Sequence, residues 1–266
     1  MQKKKSLLTI AGFDPTGGAG ILTDAAVFRT LGFHPLAVLT SVAAQGGSGV
    51  RSVRPLPEPF IDKELEIAFE EFQPAAVKIG MLYSPEAVNM VADFLTERSI
   101  PIVLDPVFSA SGGGELLLLS ALPLLEERLI PLCRIVTPNL DEAIHFLNLE
   151  TIDPDQIEEA ATELSQRWDC SVLLKGGHLN GDPVDVLAIE GTCEKFPHHR
   201  LQKGVRLRGT GCALSAAIAA ELGDGKELKK AVSEGLRFVR EAIQEAYSAG
   251  RMGEIGFLGF GGPQSK

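Results

Sequence analysis

Residues Gly209, Thr210, Gly211 and Cys212 form a glycine-rich turn that leads directly into an alanine-rich segment. Glycine lets the backbone turn tightly and approach a ligand closely, and the composition that follows predicts a buried helix. The first amides of a helix lack intrahelical partners and carry partial positive charge. We therefore predict that this turn holds a migrating phosphoryl group and favours the thiolate of Cys212, which would face the acceptor hydroxyl. A turn used only for close packing is the alternative.

Three other residues with useful chemistry follow predicted strands or the loops after them. Asp24 lies in the helix that follows the loop Gly12–Gly20, and that loop has neither the lysine of a P-loop nor the dinucleotide fingerprint. The amide of Gln45 can donate and accept at once, and Met81 could pack on a flat ring. The structural alternatives are a solvated carboxylate, an exposed loop amide and a core methionine.

Polar residues also end three later strands. Asn139 and Glu142 stand three residues apart at a helix start, where they could form a capping box or help to hold hydrated Mg²⁺. Asp105 closes one predicted strand as a carboxylate. Lys175 ends another predicted strand, which is otherwise apolar, and this position favours a phosphate contact. The histidines show no partner in the sequence and are predicted to be structural or exposed: His34, His145, His178, His198 and His199.

Composition narrows the class of protein. The chain has 266 residues, 45% of them hydrophobic, and a formal charge of -10, which argues against a nucleic-acid or anionic-membrane surface. No apolar run reaches the roughly 20 residues of a membrane span, and the apolar part of the N-terminus is too short for a secretory signal. The cysteines are scattered without a metal-binding or disulfide pattern, which indicates the cytoplasm. They are Cys133, Cys170, Cys193 and Cys212.

Predicted strands alternate with predicted amphipathic helices, a pattern typical of an α/β fold with a mostly parallel sheet between helical layers. No linker divides the chain, so we predict one domain, 1–266, with a partly loose tail from about residue 256. The predicted strands are Ser6–Ala11, Leu36–Ser41, Ala75–Ile79, Ile102–Asp105, Ile135–Thr137, Ser171–Lys175 and Val184–Ile189. The predicted helices are Ala19–Leu31, Pro59–Phe72, Pro85–Ser99, Gly114–Ile130, Asp141–Asn148, Asp155–Asp169, Cys212–Leu222 and Glu227–Ala249. Ligands of such sheets bind at the carboxyl ends of the strands.

Taken in order, these motifs resemble those of the hydroxymethylpyrimidine and phosphomethylpyrimidine kinases of thiamin biosynthesis, which belong to the ribokinase-like superfamily. The resemblance runs without a break from about Leu7 to about Phe238. The segments that carry it are Ala11–Gly20 with Asp24, Ala44–Gln45, Val77–Met81, Asp105–Val107, Thr137–Asn139, Leu174–His178 and Gly209–Ala217.

The resemblance implies a ribokinase-like three-layer α/β/α sandwich, ATP as phosphoryl donor, Mg²⁺, and often a homodimer. Family members phosphorylate the hydroxymethyl group of 4-amino-5-hydroxymethyl-2-methylpyrimidine and then the resulting monophosphate. The implied roles are as follows: Asp24 and Gln45 bind the aminopyrimidine edge; Gly12 and Met81 line the ring pocket; Cys212 takes the place of the usual aspartate base; Lys175 and the amides of Gly209, Thr210, Gly211 and Cys212 bind phosphates; and Asp105, Asn139 and Glu142 organise Mg²⁺.

The chain departs from the family pattern at a few positions. Phe13 replaces a serine, Gly46 and Gly47 replace an Asn-Thr pair, and Ala213 replaces a threonine. The segment Arg206–Arg208 replaces Asn-Thr-His. Our hypothesis is that one of these two arginines supplies charge to a phosphate, and the alternative is a pair of solvated loop arginines.

Two other functions remain open at this point. Pyridoxine and pyridoxal kinases share the fold and the cysteine, so a kinase of a related ring alcohol is one alternative. A binding protein that has lost catalysis is the other, since residues beside Cys212 differ from the family pattern.

Overall fold

Leucine-, valine- and isoleucine-rich segments form the strands of one central sheet. The computed structural model describes residues 3–110, 113–177, 183–198, 206–250 and 255–261, and within them nine strands join in the order β3-β2-β1-β4-β5-β6-β7-β8-β9. These strands are β1 Ser6–Phe13, β2 His34–Gly46, β3 Gly49–Pro55, β4 Val77–Ile79, β5 Ile102–Leu104, β6 Ile135–Val136, β7 Ser171–Leu174, β8 Val184–Ile189 and β9 Thr192–Pro197.

The middle of the sheet is parallel and its two margins are antiparallel. Strand β1 pairs in parallel with β2 and β4, and β4 to β7 continue in parallel order. Hairpins add β3 at one margin and β8 and β9 at the other. All the parallel strands end at the same edge, so the residues that follow them meet there.

Helices cover both faces of the sheet, which confirms the predicted ribokinase-like three-layer sandwich. One apolar cluster packs α1, α7 and α8 on the sheet, and the other packs α2, α3, α5 and α6 on the opposite face. The helices are α1 Gly20–Thr30, α2 Glu58–Ile67 with a π-helical turn Ala68–Phe72, α3 Pro85–Leu95, α4 Leu122–Leu124, α5 Leu140–Leu147, α6 Ile157–Trp168, α7 Thr210–Gly223 and α8 Leu228–Gln244.

Two predicted helices are partly wrong. In place of the predicted helix Gly114–Ile130, the structure has short 3₁₀, α and π turns from Leu119 to Leu132, and Pro123 removes a backbone donor within the predicted segment. The helix predicted to reach Ala249 ends at Gln244, and Tyr247–Ala249 is a strand, β11. Strands β3 and β9 were not predicted, because edge strands with exposed charged residues lack a continuous apolar run.

A second sheet places the C-terminal segment against the chain just before Gly209. Strand β12, Ile255–Phe257, lies between β10, Arg206–Leu207, and β11. The ring of Phe260 stacks on that of Phe238, so the first part of the predicted loose tail is packed, while residues 262–266 lie outside the described residues. Within the described chain, no helix is long and apolar enough to cross a membrane.

Candidate active site

The glycine-rich turn is the first turn of α7. Gly209 precedes the helix with a φ of 75°, a left-handed conformation that favours glycine. A Cβ atom at Gly209 would lie 2.1 Å from the carbonyl oxygen of Gly18, so only glycine fits there. No side chain of the described residues caps α7, and its first amides are therefore available to an anion.

A cation lies beside this helix end. A Cβ atom at Gly211 would be 3.2 Å from Nζ of Lys175, and this ammonium group donates to Oδ1 of Asp105 over 2.7 Å. Burial acts to raise the pKa of Asp105, but Lys175 and Lys78 outweigh burial and hold that pKa below its usual value. Asp105 is therefore ionised, and the helix end, Lys175 and Asp105 form one charged cluster.

Asn139 and Glu142 form the capping box at the start of α5. Oδ1 of Asn139 accepts from the amide of Glu142 over 2.8 Å, and Oε2 of Glu142 accepts from the amide of Asn139 over 2.7 Å. Burial raises the pKa of Glu142 to about 8, even though Lys175 acts to lower it. The capping interpretation is confirmed, and at neutral pH the Glu142 carboxyl holds a proton.

The predicted metal residues fit Mg²⁺ only in part. Among the described residues there is no cluster of three or more histidine, cysteine, aspartate or glutamate side chains that could hold a metal. Mg²⁺ itself needs only one or two carboxylates when waters and phosphates complete its shell. Besides burial, the Asp105 charge acts to raise the pKa of Glu142 and Lys175 acts to lower it, so a further cation near these two carboxyl groups would favour their ionised forms.

Asp24 is part of a buried ion pair. Its Oδ2 accepts from Nζ of Lys78 over 2.8 Å and from Oγ1 of Thr9 over 2.6 Å, and the carboxylate is 0% exposed. Burial is the largest cause and raises the pKa of Asp24, although Lys78 and Thr9 act to lower it; the pKa of Lys78 is also raised, because Asp24 and other nearby acidic groups outweigh burial there. Oδ1 of Asp24 has no hydrogen-bond partner among the described residues.

Cys212 is half-buried in the first turn of α7. Burial raises the pKa of its thiol to about 11; Lys78 and the amide of Gly20 act to lower it, and Asp105 and Asp24 act to raise it. Burial, the largest of these causes, works against the thiolate that the sequence predicts for Cys212. Cys212 is a thiol at neutral pH.

Of the residues predicted to line the ring pocket, Gly12 and Met81 lie together in the structure. A Cβ atom at Gly12 would lie 2.7 Å from Sδ of Met81 and 3.0 Å from Oγ of Ser41, so these three residues share one wall. Met81 is buried, and Oγ of Ser41 is also a buried atom without a partner in the described chain. Gln45 is half-exposed in β2, opposite Val50 at an irregularity of the hairpin, and its pocket contact stays a prediction.

Arg208 connects two loops on this side of the sheet. Its Nη2 donates to Oδ2 of Asp14 over 2.9 Å and its Nη1 to the carbonyl oxygen of Gly46 over 2.7 Å. The side chain is 12% exposed, so the interpretation of Arg208 as a solvated loop arginine is wrong. The side chain of Arg206 lies outside the described residues.

Lys78 is the residue that sequence reasoning missed. Its signal was present, since a lysine between two apolar strand residues, Val77 and Ile79, resembles the pattern used for Lys175. Ser41 and Thr9 gave no signal, because hydroxyl side chains are ordinary in strands. Of the histidines, His34 stacks on Phe72, whereas His178 and His199 lie outside the described part of the chain.

Comparison with known proteins gives a consistent result. A family model described as phosphomethylpyrimidine kinase matches residues 14–255. A hydroxymethylpyrimidine/phosphomethylpyrimidine kinase from Haemophilus influenzae is 36% identical over 256 residues, which cover 94% of this chain and 95% of that protein. A bifunctional thiamine biosynthesis protein from Geobacter sulfurreducens is 38% identical over 248 residues, which cover 92% of this chain and 50% of that protein. The chain thus spans half the length of the bifunctional relative.

Solved structures agree in fold. The crystal structure of a phosphomethylpyrimidine kinase from Clostridium difficile 630 is 36% identical, with a TM-score of 0.79 and coverage of 90% of this chain and 100% of that one. A pyridoxal kinase from Staphylococcus aureus in complex with ADP is 28% identical, with a TM-score of 0.88 and coverage of 99% of this chain and 96% of that one.

Proposed function

Because the chain belongs to the phosphomethylpyrimidine kinase family, we propose that it transfers a phosphoryl group from ATP to the hydroxymethyl group of 4-amino-5-hydroxymethyl-2-methylpyrimidine, and then to the resulting monophosphate, within a single kinase domain. The observation that carries this proposal is the convergence of the uncapped α7 N-terminus, Lys175 and Cys212 at the carboxyl edge of the parallel sheet. Phosphoryl transfer depends mainly on such positioning and charge stabilisation.

The donor phosphates bind at the start of α7. The amides of Gly209, Thr210, Gly211 and Cys212 carry partial positive charge, and the ammonium of Lys175 beside Gly211 adds a full positive charge. ADP and AMP-PCP are present in structures of the pyridoxal kinase from Staphylococcus aureus, which supports a nucleotide in the same fold.

Mg²⁺ accompanies the nucleotide in this proposal. It would supply positive charge that offsets the negative charge on the phosphate groups during transfer. Asp105 and Glu142 would hold it, with Asn139 fixing the backbone of Glu142 through the capping box. Glu142 must then release the proton that its raised pKa retains.

The acceptor alcohol lies on the other side of Cys212. Gly12 and Met81 provide the ring wall, and Asp24 and Gln45 provide polar contacts to the aminopyrimidine edge. The hydroxyl oxygen attacks the γ-phosphorus, the bond to the β–γ bridging oxygen breaks, and the hydroxyl proton passes to Sγ of Cys212 in its thiolate form. A loose transition state needs little help from a base until the new bond has formed.

A coupled assay of ADP release tests this function. We expect ADP release with the aminopyrimidine alcohol and with its monophosphate, and a lower kcat/KM with pyridoxal. A higher kcat/KM with pyridoxal would make the chain a pyridoxal kinase, an outcome that the likeness to that enzyme makes worth measuring. Tight pyrimidine binding without ADP release would make it a binding protein.

The variant Arg208→Ala tests whether this arginine holds two loops together or contacts a phosphate. Because Arg208 ties the β1–α1 loop to the β2–β3 hairpin, its loss should loosen the acceptor side and raise KM for the pyrimidine alcohol about tenfold, as expected for about 1.4 kcal/mol of lost hydrogen bonding. Steady-state kinetics with each substrate varied in turn measure the effect. Arg237→Ala, which removes a surface arginine paired with Glu234 and Glu241, is the matched control. A larger rise in KM for ATP would instead support the phosphate contact that the sequence suggests.

We also propose that the enzyme is a cytoplasmic homodimer, as the family resemblance implies. Light scattering after size exclusion should then give twice the chain mass of 28.4 kDa. A mass equal to one chain would overturn the dimer.

A further inference from the structure

Lys78 carries a buried charge that the proposed reaction does not yet use. It lies in the short strand β4 between Val77 and Ile79, and its side chain is 0% exposed. A Cβ atom at Gly80 would lie 2.8 Å from Nζ of Lys78. The side chain therefore bends along its own strand toward the carboxyl edge of the sheet, on the face covered by α1 and α7.

Only one of the two carboxylate oxygens of Asp24, the partner of Lys78, receives hydrogen bonds. Both Lys78 and Thr9 donate to Oδ2 of Asp24, whereas Oδ1 has no donor. Only two buried side-chain nitrogen or oxygen atoms in the described chain lack a partner, and the other one is Oγ of Ser41 beside Gly12. Both atoms belong to the side of the sheet edge where the ring pocket is proposed.

Stability does not account for this arrangement. A buried ion pair adds little net stability compared with apolar residues of similar volume, because both charges lose their hydration. A buried acceptor without a donor costs about 1–3 kcal/mol. An arrangement that fixes one carboxylate oxygen and leaves the other unpaired is explained if a ligand supplies the missing donor.

We propose that Lys78 is a positioning residue for substrate recognition: it keeps Asp24 an anion whose Oδ1 alone is free, so that the pocket accepts one hydrogen bond from an exocyclic amino group on the substrate ring. The inference rests on the proposed function and adds to it the residue that sets the specificity for an amino group. Since Asp24 is 0% exposed, ring contact requires the side chains in front of Oδ1 to move.

The chemical reason is the polarity of the hydrogen bond. An ionised carboxylate only accepts, so it pairs with an amino group and rejects an oxo group at the same ring position. A protonated carboxyl group can donate a hydrogen bond and would therefore bind a ring with an oxo group at that position. Without Lys78, Asp24 would be a buried carboxyl without a cation, and burial would keep it protonated.

The test compares binding of the 4-amino alcohol with that of its 4-oxo analogue by calorimetry, alongside turnover of both. We expect Lys78→Met to weaken binding of the amino compound about 100-fold and to reduce the amino-to-oxo affinity ratio at least about tenfold, since a buried mismatched hydrogen bond has effects of this size. Lys226→Met, which removes a surface lysine paired with Glu221, should leave the ratio unchanged. An unchanged ratio in Lys78→Met would overturn the proposal.

A second variant covers the case in which Lys78→Met does not fold. The double variant Lys78→Met/Asp24→Asn has no buried charge at the pair and should melt near the wild-type temperature. It should still show the reduced ratio, because the asparagine amide can donate to an oxo group. A wild-type ratio in the double variant would overturn the proposal.

The binding readout separates this inference from the proposed function. A wild-type chain that binds the amino compound preferentially but releases no ADP would refute the kinase activity, and loss of that preference in Lys78→Met would still support the inference. A wild-type chain that phosphorylates the alcohol, with the same ratio in Lys78→Met, would refute the inference alone.

Discussion

Replacing Cys212 with alanine is expected to lower kcat about 10²–10⁴-fold, the usual contribution of a positioned proton acceptor. Cys212 lies in the first turn of α7, beside the anion site, where the acceptor hydroxyl would release its proton. Its loss should act on the transition state and change KM for the pyrimidine alcohol by less than about threefold. Initial rates over a range of alcohol concentrations at saturating ATP measure both constants.

The exposed Cys193 provides the control for this experiment. Cys193→Ala removes a thiol that contacts Thr162 on the surface of α6, and it should leave kcat unchanged. If the Cys212 variant raised KM as much as it lowered kcat, Cys212 would be a packing residue of the pocket.

The raised pKa of Cys212 gives this prediction a pH dependence. With a pKa of about 11, the thiolate is a small fraction at neutral pH. That fraction grows about tenfold per pH unit below the pKa. We expect kcat of the wild-type enzyme to rise more steeply between about pH 7 and 9 than kcat of Cys212→Ala, which retains only the titration of Glu142 over this range. A flat wild-type profile would show that the thiolate is not the proton acceptor.

Lys175→Met is expected to lower kcat/KM for ATP about 10²–10³-fold, because it removes the ammonium group beside Gly211 at the start of α7 that would meet the developing phosphate charge. It also leaves the carboxylate of Asp105, which is 3% exposed, without its 2.7 Å partner. Breaking a buried pair in this way should lower the free energy of unfolding by about 3 kcal/mol. Kinetics with ATP varied and urea unfolding measure the two effects.

Two variants separate these two effects. In Lys175→Met/Asp105→Asn the unpaired charge is gone, so the free energy of unfolding should recover, while kcat/KM for ATP should stay below that of Asp105→Asn alone, which lacks the same Mg²⁺ carboxylate. Lys226→Met controls for the loss of a lysine in general. Recovery of kcat/KM together with stability in the double variant would place Lys175 among the structural residues.

The layer order of the fold could be predicted from the sequence because buried parallel strands are continuous apolar runs. The edge strands β3 and β9 escaped prediction since they carry exposed residues such as Arg51 and Lys195 between apolar ones, a pattern that local sequence shares with loops. The helical prediction for Gly114–Ile130 failed because apolar spacing was weighed above Pro123.

For the site, residue type and strand-end position brought Lys175, Asp105 and the α7 turn together correctly as a charged cluster. The sequence could not give the protonation state of Cys212 or Glu142, because burial depends on neighbours that are distant in the chain. It also could not reveal that Asp24 is already paired, since Lys78 lies 54 residues further along.

The contact between Gly209 and the carbonyl oxygen of Gly18 has a consequence for how such enzymes diversify. At this point the two loops that would carry the reactants touch through main-chain atoms, which fixes their separation. Selection can then exchange wall residues such as Met81 to admit a different ring without altering the reach between hydroxyl and phosphate. Substrate specificity and the rate of phosphoryl transfer can thereby evolve independently of each other.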